Sequence, residues 1–180
     1  MKTADLSTTY FELFGLPASF EVDREALAQR YRELQRAVHP DRFANAQDVE
    51  RRLSVQLAAR INEGFRTLKD PLSRARYLLE IEGVAMDDQD TQLDGAFLMD
   101  QMELRERLEE AKVAADARQR LHALGRDMDE REQALLGELA ALLQAPDQDA
   151  LLRARTVTRK LQFFRRLADE RAELEDELDH

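Results

Sequence analysis

The sequence predicts an all-α chain built as two helical domains, on three observations. Apolar residues recur at three- and four-residue steps along most of the 180 residues, and no stretch alternates with the period of a strand. Gly occupies 6 positions and Pro 4, while charged residues make up 36% of the chain, a composition that suits solvated helices. Charge is also unevenly divided. Residues 1–75 carry 12 basic and 11 acidic side chains, net +1, and residues 76–180 carry 15 and 26, net −11.

A short apolar segment, Tyr10 to Phe14, stands before Gly15 and Pro17 and predicts a first helix. Asp23 then stands as an N-cap ahead of a stripe formed by Leu27, Tyr31, Leu34 and Val38. Pro40 lacks an N–H and disfavours helix at the residue before it, so this second helix must end near His39. Leu53, Leu57, Ile61, Phe65 and Leu68 form the stripe of a third helix. Two amphipathic helices joined by a short polar loop pack antiparallel with their stripes facing, which leaves the loop at an exposed tip. Asp70-Pro71 breaks the chain, and Leu72 to Ile81 restarts as a short fourth helix with Pro71 at its first position.

After Gly83 the sequence VAMDDQDTQLDG is polar, acidic and aperiodic, as an interdomain linker would be. The expected division is a first domain at 1–81, a linker at 82–94 and a second domain at 95–180. Three helices are expected in the second domain, at about 95–114, 116–144 and, beyond Pro146, 147–178. Leu121, Leu124, Met128, Leu135, Leu139 and Leu142 mark the seam of the middle helix, and Val157, Leu161, Phe164 and Ala168 that of the last. The second domain is therefore expected to be an antiparallel three-helix bundle.

In such a bundle each helix needs one buried stripe, and two of these helices have more. In the first, Phe97, Leu104, Leu108 and Ala111 share one face, while Leu98, Met99 and Met102 are centred roughly 150° away, bordered by Glu103, Glu106, Glu109, Glu110 and Arg105. In the last, Phe163 sits roughly 110° to 140° off the seam. Apolar residues rimmed by charge have the character of a protein-binding patch, and methionine suits one because its thioether chain adapts to a partner. The alternative is that Leu98, Met99 and Met102 pack on the helix at 72–81, and that Phe163 belongs to a wide helix face.

At the tip of the hairpin stand His39, Pro40 and Asp41. Arg32 and Arg36 are rotated away from the buried stripe and Arg42 follows the tripeptide, so a positive face leads up to it. A metal or acid–base site on His39 and Asp41 is not expected, because no second His or Cys accompanies them. Nowhere do a nucleophile, a base and an orienting group converge, so no catalytic residue is assigned. Cysteine is absent, which excludes a disulfide framework, a thiol nucleophile and a zinc site of the Cys type; no cofactor is expected. The acidic net charge of −10 makes nucleic acid a poor partner. No apolar run approaches the ~20 residues of a membrane span, and MKTADLSTTY has neither a signal-peptide core nor an Arg-rich transit pattern, so a cytoplasmic protein is expected.

The tripeptide and the basic helix YRELQRAV before it, with YFELFGLP at 10–17 and INEGFRTLKDPLSRARYLL at 61–79, resemble a J domain. In that family the loop and basic helix dock on a DnaK-class chaperone and stimulate its ATP hydrolysis. The resemblance implies that His39, Pro40 and Asp41 are the signalling loop and that Arg32, Arg36 and Arg42 are electrostatic contacts. A second resemblance is more specific. AFLMDQMELRERLEEA at 96–111 and RKLQFFRRL at 159–167 are similar to the C-terminal domain of the HscB-type iron–sulfur assembly co-chaperones, which binds the scaffold IscU and presents it to the chaperone HscA.

Matched onto that domain, Leu98, Met99, Met102 and Phe163 take the apolar scaffold-binding positions and Glu103, Arg105, Glu106 and Glu110 the polar ones. Met102 replaces an expected Leu, and the doubled Phe163-Phe164 leaves two candidates for one aromatic position, of which helical phase favours Phe163. The resemblance spans Tyr10 to about Leu178. Eukaryotic relatives often carry a cysteine-bearing extension and a targeting segment, so a bacterial cytoplasmic protein is the better match. Two rivals stay open: a general J-protein for unfolded clients, and an acidic helical regulator for which the tripeptide is accidental.

Overall fold

The computed structural model describes residues 8–39, 48–86 and 94–178, and every regular element among them is helical. The chain divides into two compact units, Met1–Leu78 and Leu79–His180. That division falls inside the fourth helix rather than at 81, and residues 87–93 of the expected linker lie outside the described residues.

In the first unit, α1 (Tyr10–Phe14) opens with a capping box: the Thr9 hydroxyl accepts from the Glu12 N–H at 3.2 Å, and the Glu12 carboxylate accepts from the Thr9 N–H at 2.7 Å. It closes at Gly15, whose φ of 64° lets its own N–H and that of Leu16 turn back onto Glu12 and Phe11. α2 (Arg24–Val38) starts at Asp23, whose carboxylate accepts from the N–H groups of Glu25 and Ala26, as the sequence predicts. α3 (Asp48–Lys69) packs against it. Leu27 and Val38 of α2 and Leu57, Ile61 and Leu68 of α3 are buried.

Tyr31 and Phe65 fix the register of the hairpin by stacking at 4.1 Å between centroids, while the Tyr31 hydroxyl donates to Asn62 at 2.9 Å. α1 lies across α3 at Gly64, where a Cβ would fall 2.9 Å from Tyr10 Cδ1 and 3.0 Å from Phe14 Cε2. Asp70 caps α4 (Pro71–Ile81) by accepting from the Ser73 N–H at 2.8 Å, and Pro71 fills the first position, where no N–H is needed. The Tyr77 hydroxyl accepts from the Tyr10 N–H at 2.8 Å, tying α4 to α1.

The second unit contains α5 (Gly95–Val113), α6 (Ala117–Leu142) and α7 (Gln148–Leu178), within two residues of the expected bounds. Connections of only a few residues make consecutive helices antiparallel. Its core is built from Phe97, Leu104, Leu108 and Ala111 of α5, Leu121, Leu124 and Met128 of α6, and Phe163, Phe164 and Leu167 of α7. The core face expected for α5 is the buried one. The expectation for α7 is corrected: Phe163, placed off the seam, is only 3% exposed, as is Phe164. α7 buries a far wider arc than one stripe, with Arg159 and Phe163 buried as well as Leu151, Val157, Leu161, Phe164 and Leu167.

Candidate functional site

Each unit carries one of the surfaces that the sequence singles out. In the first, α2 turns Leu27 and Val38 inward, and helical phase places Arg32 and Arg36 on the opposite face, where both are exposed. His39 is the C-cap, exposed, with φ −56° and ψ 133°. That extended conformation is the one the ring of a following proline imposes. Pro40, Asp41 and Arg42 lie outside the described residues.

In the second unit, α5 presents its other apolar cluster to solvent: Leu98 is 43% exposed, Met99 68% and Met102 67%. Glu103, Arg105, Glu106 and Glu110 on the same helix are exposed as well. Arg107 approaches Glu103 at 4.0 Å, and Arg120 of α6 approaches Glu110 at 3.8 Å. Phe163 does not join this cluster at the surface. Its ring meets Phe97 edge-on at 5.8 Å, and the Arg105 guanidinium lies over it at 5.9 Å from the centroid. Arg105 and Leu98 are seven residues apart on one flank of α5, so Phe163 forms the covered border of the patch rather than part of its exposed area.

Sequence reasoning missed the ion pairs that hold this face. Asp94 caps α5 by accepting from the Phe97 N–H at 2.7 Å, and the same carboxylate takes Lys160 of α7 at 2.8 Å. The hydrogen bond from Lys160, then that from Phe97, holds the Asp94 carboxyl below the usual carboxylate range. On the α6 side, Asp127 accepts from Arg107 at 2.5 Å and from Arg131 at 2.9 Å, and Arg131 also approaches Asp100 of α5 at 3.8 Å. Burial pushes the Asp127 carboxyl up, but the two arginines outweigh it and the net shift is downward. An Asp ahead of a helix start signals a cap, yet nothing in the sequence pairs Asp94 with a lysine far along the chain.

Among the described residues no group of three or more His, Cys, Asp or Glu side chains could hold a metal ion, and no helix is long and apolar enough to cross a membrane. The second unit presents Leu98, Met99 and Met102, with exposed glutamates beside them, on the solvent side of a helix whose other face is buried.

The family described as HSCB C-terminal oligomerisation domain matches residues 93–171. A co-chaperone protein HscB homolog of Shewanella frigidimarina is 47% identical over 171 residues, covering 94% of this chain and 98% of that protein, and one of Shewanella baltica is 46% identical with the same coverage. Among solved structures, the chaperone HscB of Vibrio cholerae superposes with a TM-score of 0.85 at 42% identity, over 95% of this chain and 99% of that one. The human co-chaperone protein HscB superposes at 0.87 and 27%, over 96% and 84%. With near-complete coverage at this identity, and a helical hairpin and three-helix bundle of the same architecture, the chain belongs to the HscB co-chaperone family.

Proposed function

We propose that this chain works in iron–sulfur cluster assembly as a two-sided adaptor, in the bacterial cytoplasm, between an IscU-type scaffold and an HscA-like chaperone of the DnaK class. The J domain, at 1–81, engages the chaperone through His39, Pro40 and Asp41 with Arg32, Arg36 and Arg42. The domain at 95–180 holds the scaffold through Leu98, Met99 and Met102, with Glu103, Arg105, Glu106 and Glu110 around them and Phe163 at the border. The reaction, ATP hydrolysis, belongs to the partner. A docked loop accelerates it by favouring the partner conformation in which Mg-ATP and water are correctly placed, with leverage equal to its differential affinity for the two states. Holding the scaffold on the same chain raises its effective concentration at the chaperone.

The observation that carries this reading is the exposure of Leu98, Met99 and Met102 on a helix whose opposite face is fully committed to the core. Folding has no use for three large apolar side chains left in water within an acidic rim. The test is steady-state ATP hydrolysis by the chaperone with this protein and the scaffold, added separately and together. Synergy that disappears in Leu98→Ala/Met99→Ala supports the adaptor; stimulation with no dependence on scaffold reduces it to a generic J-protein. Asp41→Asn should abolish stimulation, and unchanged stimulation by that variant would refute the role of the loop.

A further inference from the structure

Charge is not distributed evenly around Leu98, Met99 and Met102. One edge of the patch is acidic: Glu103, Glu106 and Glu110 are exposed, and Glu110 lies toward α6, where Arg120 approaches it at 3.8 Å. The other edge runs along α7. There Leu98 and Arg105 share one flank of α5, and the Arg105 guanidinium lies over the Phe163 ring at 5.9 Å from the centroid. Arg166 follows Phe163 by three residues, so it stands beside that ring on the same side of α7, and it is exposed. Two helices thus bring one guanidinium each to the border that Phe163 covers.

The second unit is rich in acid, and its cations readily find partners there. Arg107 and Arg131 share Asp127, Arg120 takes Asp116, and Lys160 takes Asp94. Among the described residues of this unit no ion pair forms at Arg105, Arg126 or Arg166, and two of these three stand at the same border of the patch. Glu170, exposed and four residues beyond Arg166, has the spacing of a helical pair, yet it makes no ion pair with Arg166 among the described residues. A guanidinium fork matches a carboxylate with two parallel hydrogen bonds, and apolar neighbours that shed water on docking strengthen the contact. Held over the Phe163 ring, Arg105 also has less side-chain freedom to lose when a partner arrives.

We infer that Arg105 and Arg166 form a cationic edge that accepts an acidic side chain of the scaffold beside the apolar contact, and that this edge fixes the direction in which the scaffold docks. The carboxylate goes toward α7. A scaffold turned end for end would set it against Glu103, Glu106 and Glu110 and be repelled. The identity of the partner rests on the adaptor reading; the chemistry it must present at this edge follows from the two arginines.

The test is calorimetric titration of the full chain with an apo IscU-type scaffold. Arg166→Glu should weaken binding at least about tenfold. Arg126→Glu makes the same change of net charge at an exposed site on α6, beside Arg171 of α7 and away from the patch, and should weaken it less than about twofold. Arg105→Gln and Arg166→Gln should each cost about fivefold in low salt and less than about twofold in about 0.5 M salt, where a contact between exposed charges is screened. Arg166 is exposed, so the urea midpoint of its variants should match that of the wild type; should Arg166→Glu unfold early, Arg166→Gln decides. Equal losses in Arg166→Glu and Arg126→Glu, or no loss in Arg166→Glu, would overturn the inference. So would self-association of the wild-type chain in sedimentation that Arg166→Glu abolishes while scaffold affinity holds, because the carboxylate would then belong to a second copy. If Leu98→Ala/Met99→Ala binds like the wild type and Arg166→Glu does not, the apolar contact of the adaptor reading fails and the cationic edge stands. A wild-type chain that does not bind the scaffold overturns both.

Discussion

Replacing Phe163 by Ala separates two explanations of the same loss. The side chain is 3% exposed, with its ring edge-on to Phe97 at 5.8 Å and packed with Phe164 at 5.6 Å. Removing it forfeits the transfer energy of a buried aromatic and leaves a cavity, together about 3–5 kcal/mol. Met99, at 68% exposure, has little to lose, and Met99→Ala should change stability by less than about 0.5 kcal/mol. In a unit of this size 3 kcal/mol lowers the melting temperature by more than about 10 °C. A binding defect in Phe163→Ala would therefore report a loosened bundle, whereas the same defect in Met99→Ala would report a lost contact.

The chain supplies its own spectroscopic separation. Its three tyrosines, Tyr10, Tyr31 and Tyr77, all lie in the first unit, and it has no tryptophan. Tyrosine fluorescence during urea unfolding follows the first unit, and far-UV circular dichroism follows both. Phe163→Ala should advance a large part of the dichroism transition and leave the fluorescence midpoint in place. A loss of scaffold binding with less than about 1 kcal/mol of destabilisation would refute the reasoning, because the ring would then have to be exposed in solution rather than packed on Phe97.

Two glycine substitutions should move stability in opposite directions. Gly64→Ala puts a Cβ 2.9 Å from the Tyr10 ring and should destabilise the first unit by about 1–3 kcal/mol, read as an earlier tyrosine transition. Gly137→Ala, within α6 and with nothing within 4 Å of the new Cβ, should stabilise the second unit by about 0.5–1 kcal/mol in the dichroism transition. Asp127→Asn should weaken the second unit by about 1 kcal/mol, and by less in high salt, since Arg107 and Arg131 lose the carboxylate between them. Asp94, Asp116 and Asp127 all have folded-state pKa values below the ordinary 3.8, so their contribution is complete above that value. The urea midpoint of the second unit should hold through the pH range above the ordinary aspartate value. It should drop as pH falls below about 4 through the depressed values, and a steep loss near neutrality would contradict these assignments.

What the sequence made legible and what it hid follow from one distinction. Periodicity, caps and prolines are local: Asp23 before α2, Pro71 at the start of α4 and the Phe97, Leu104, Leu108, Ala111 face of α5 each follow from residues within a few turns, and the structure has them where the pattern places them. Leu98, Met99 and Met102 were legible for the same reason, as apolar residues at the wrong phase. Phe163 is at the wrong phase too, yet it is buried. Periodicity states how far a side chain is rotated from a stripe, but whether that angle means solvent depends on where the neighbouring helices lie. α5 and α7 each have two neighbours; the phase of Phe163 on α7 meets Phe97 of α5, whereas the phase of Leu98, Met99 and Met102 on α5 falls outside both α6 and α7. The pairing of Lys160 with Asp94 was illegible because it exists only once α5 and α7 are side by side. The exposed part of the candidate site is thus written in local phase, while its border and its supports are consequences of assembly, so substitutions at Phe163 and Lys160 must be judged through the bundle before they are judged through a partner.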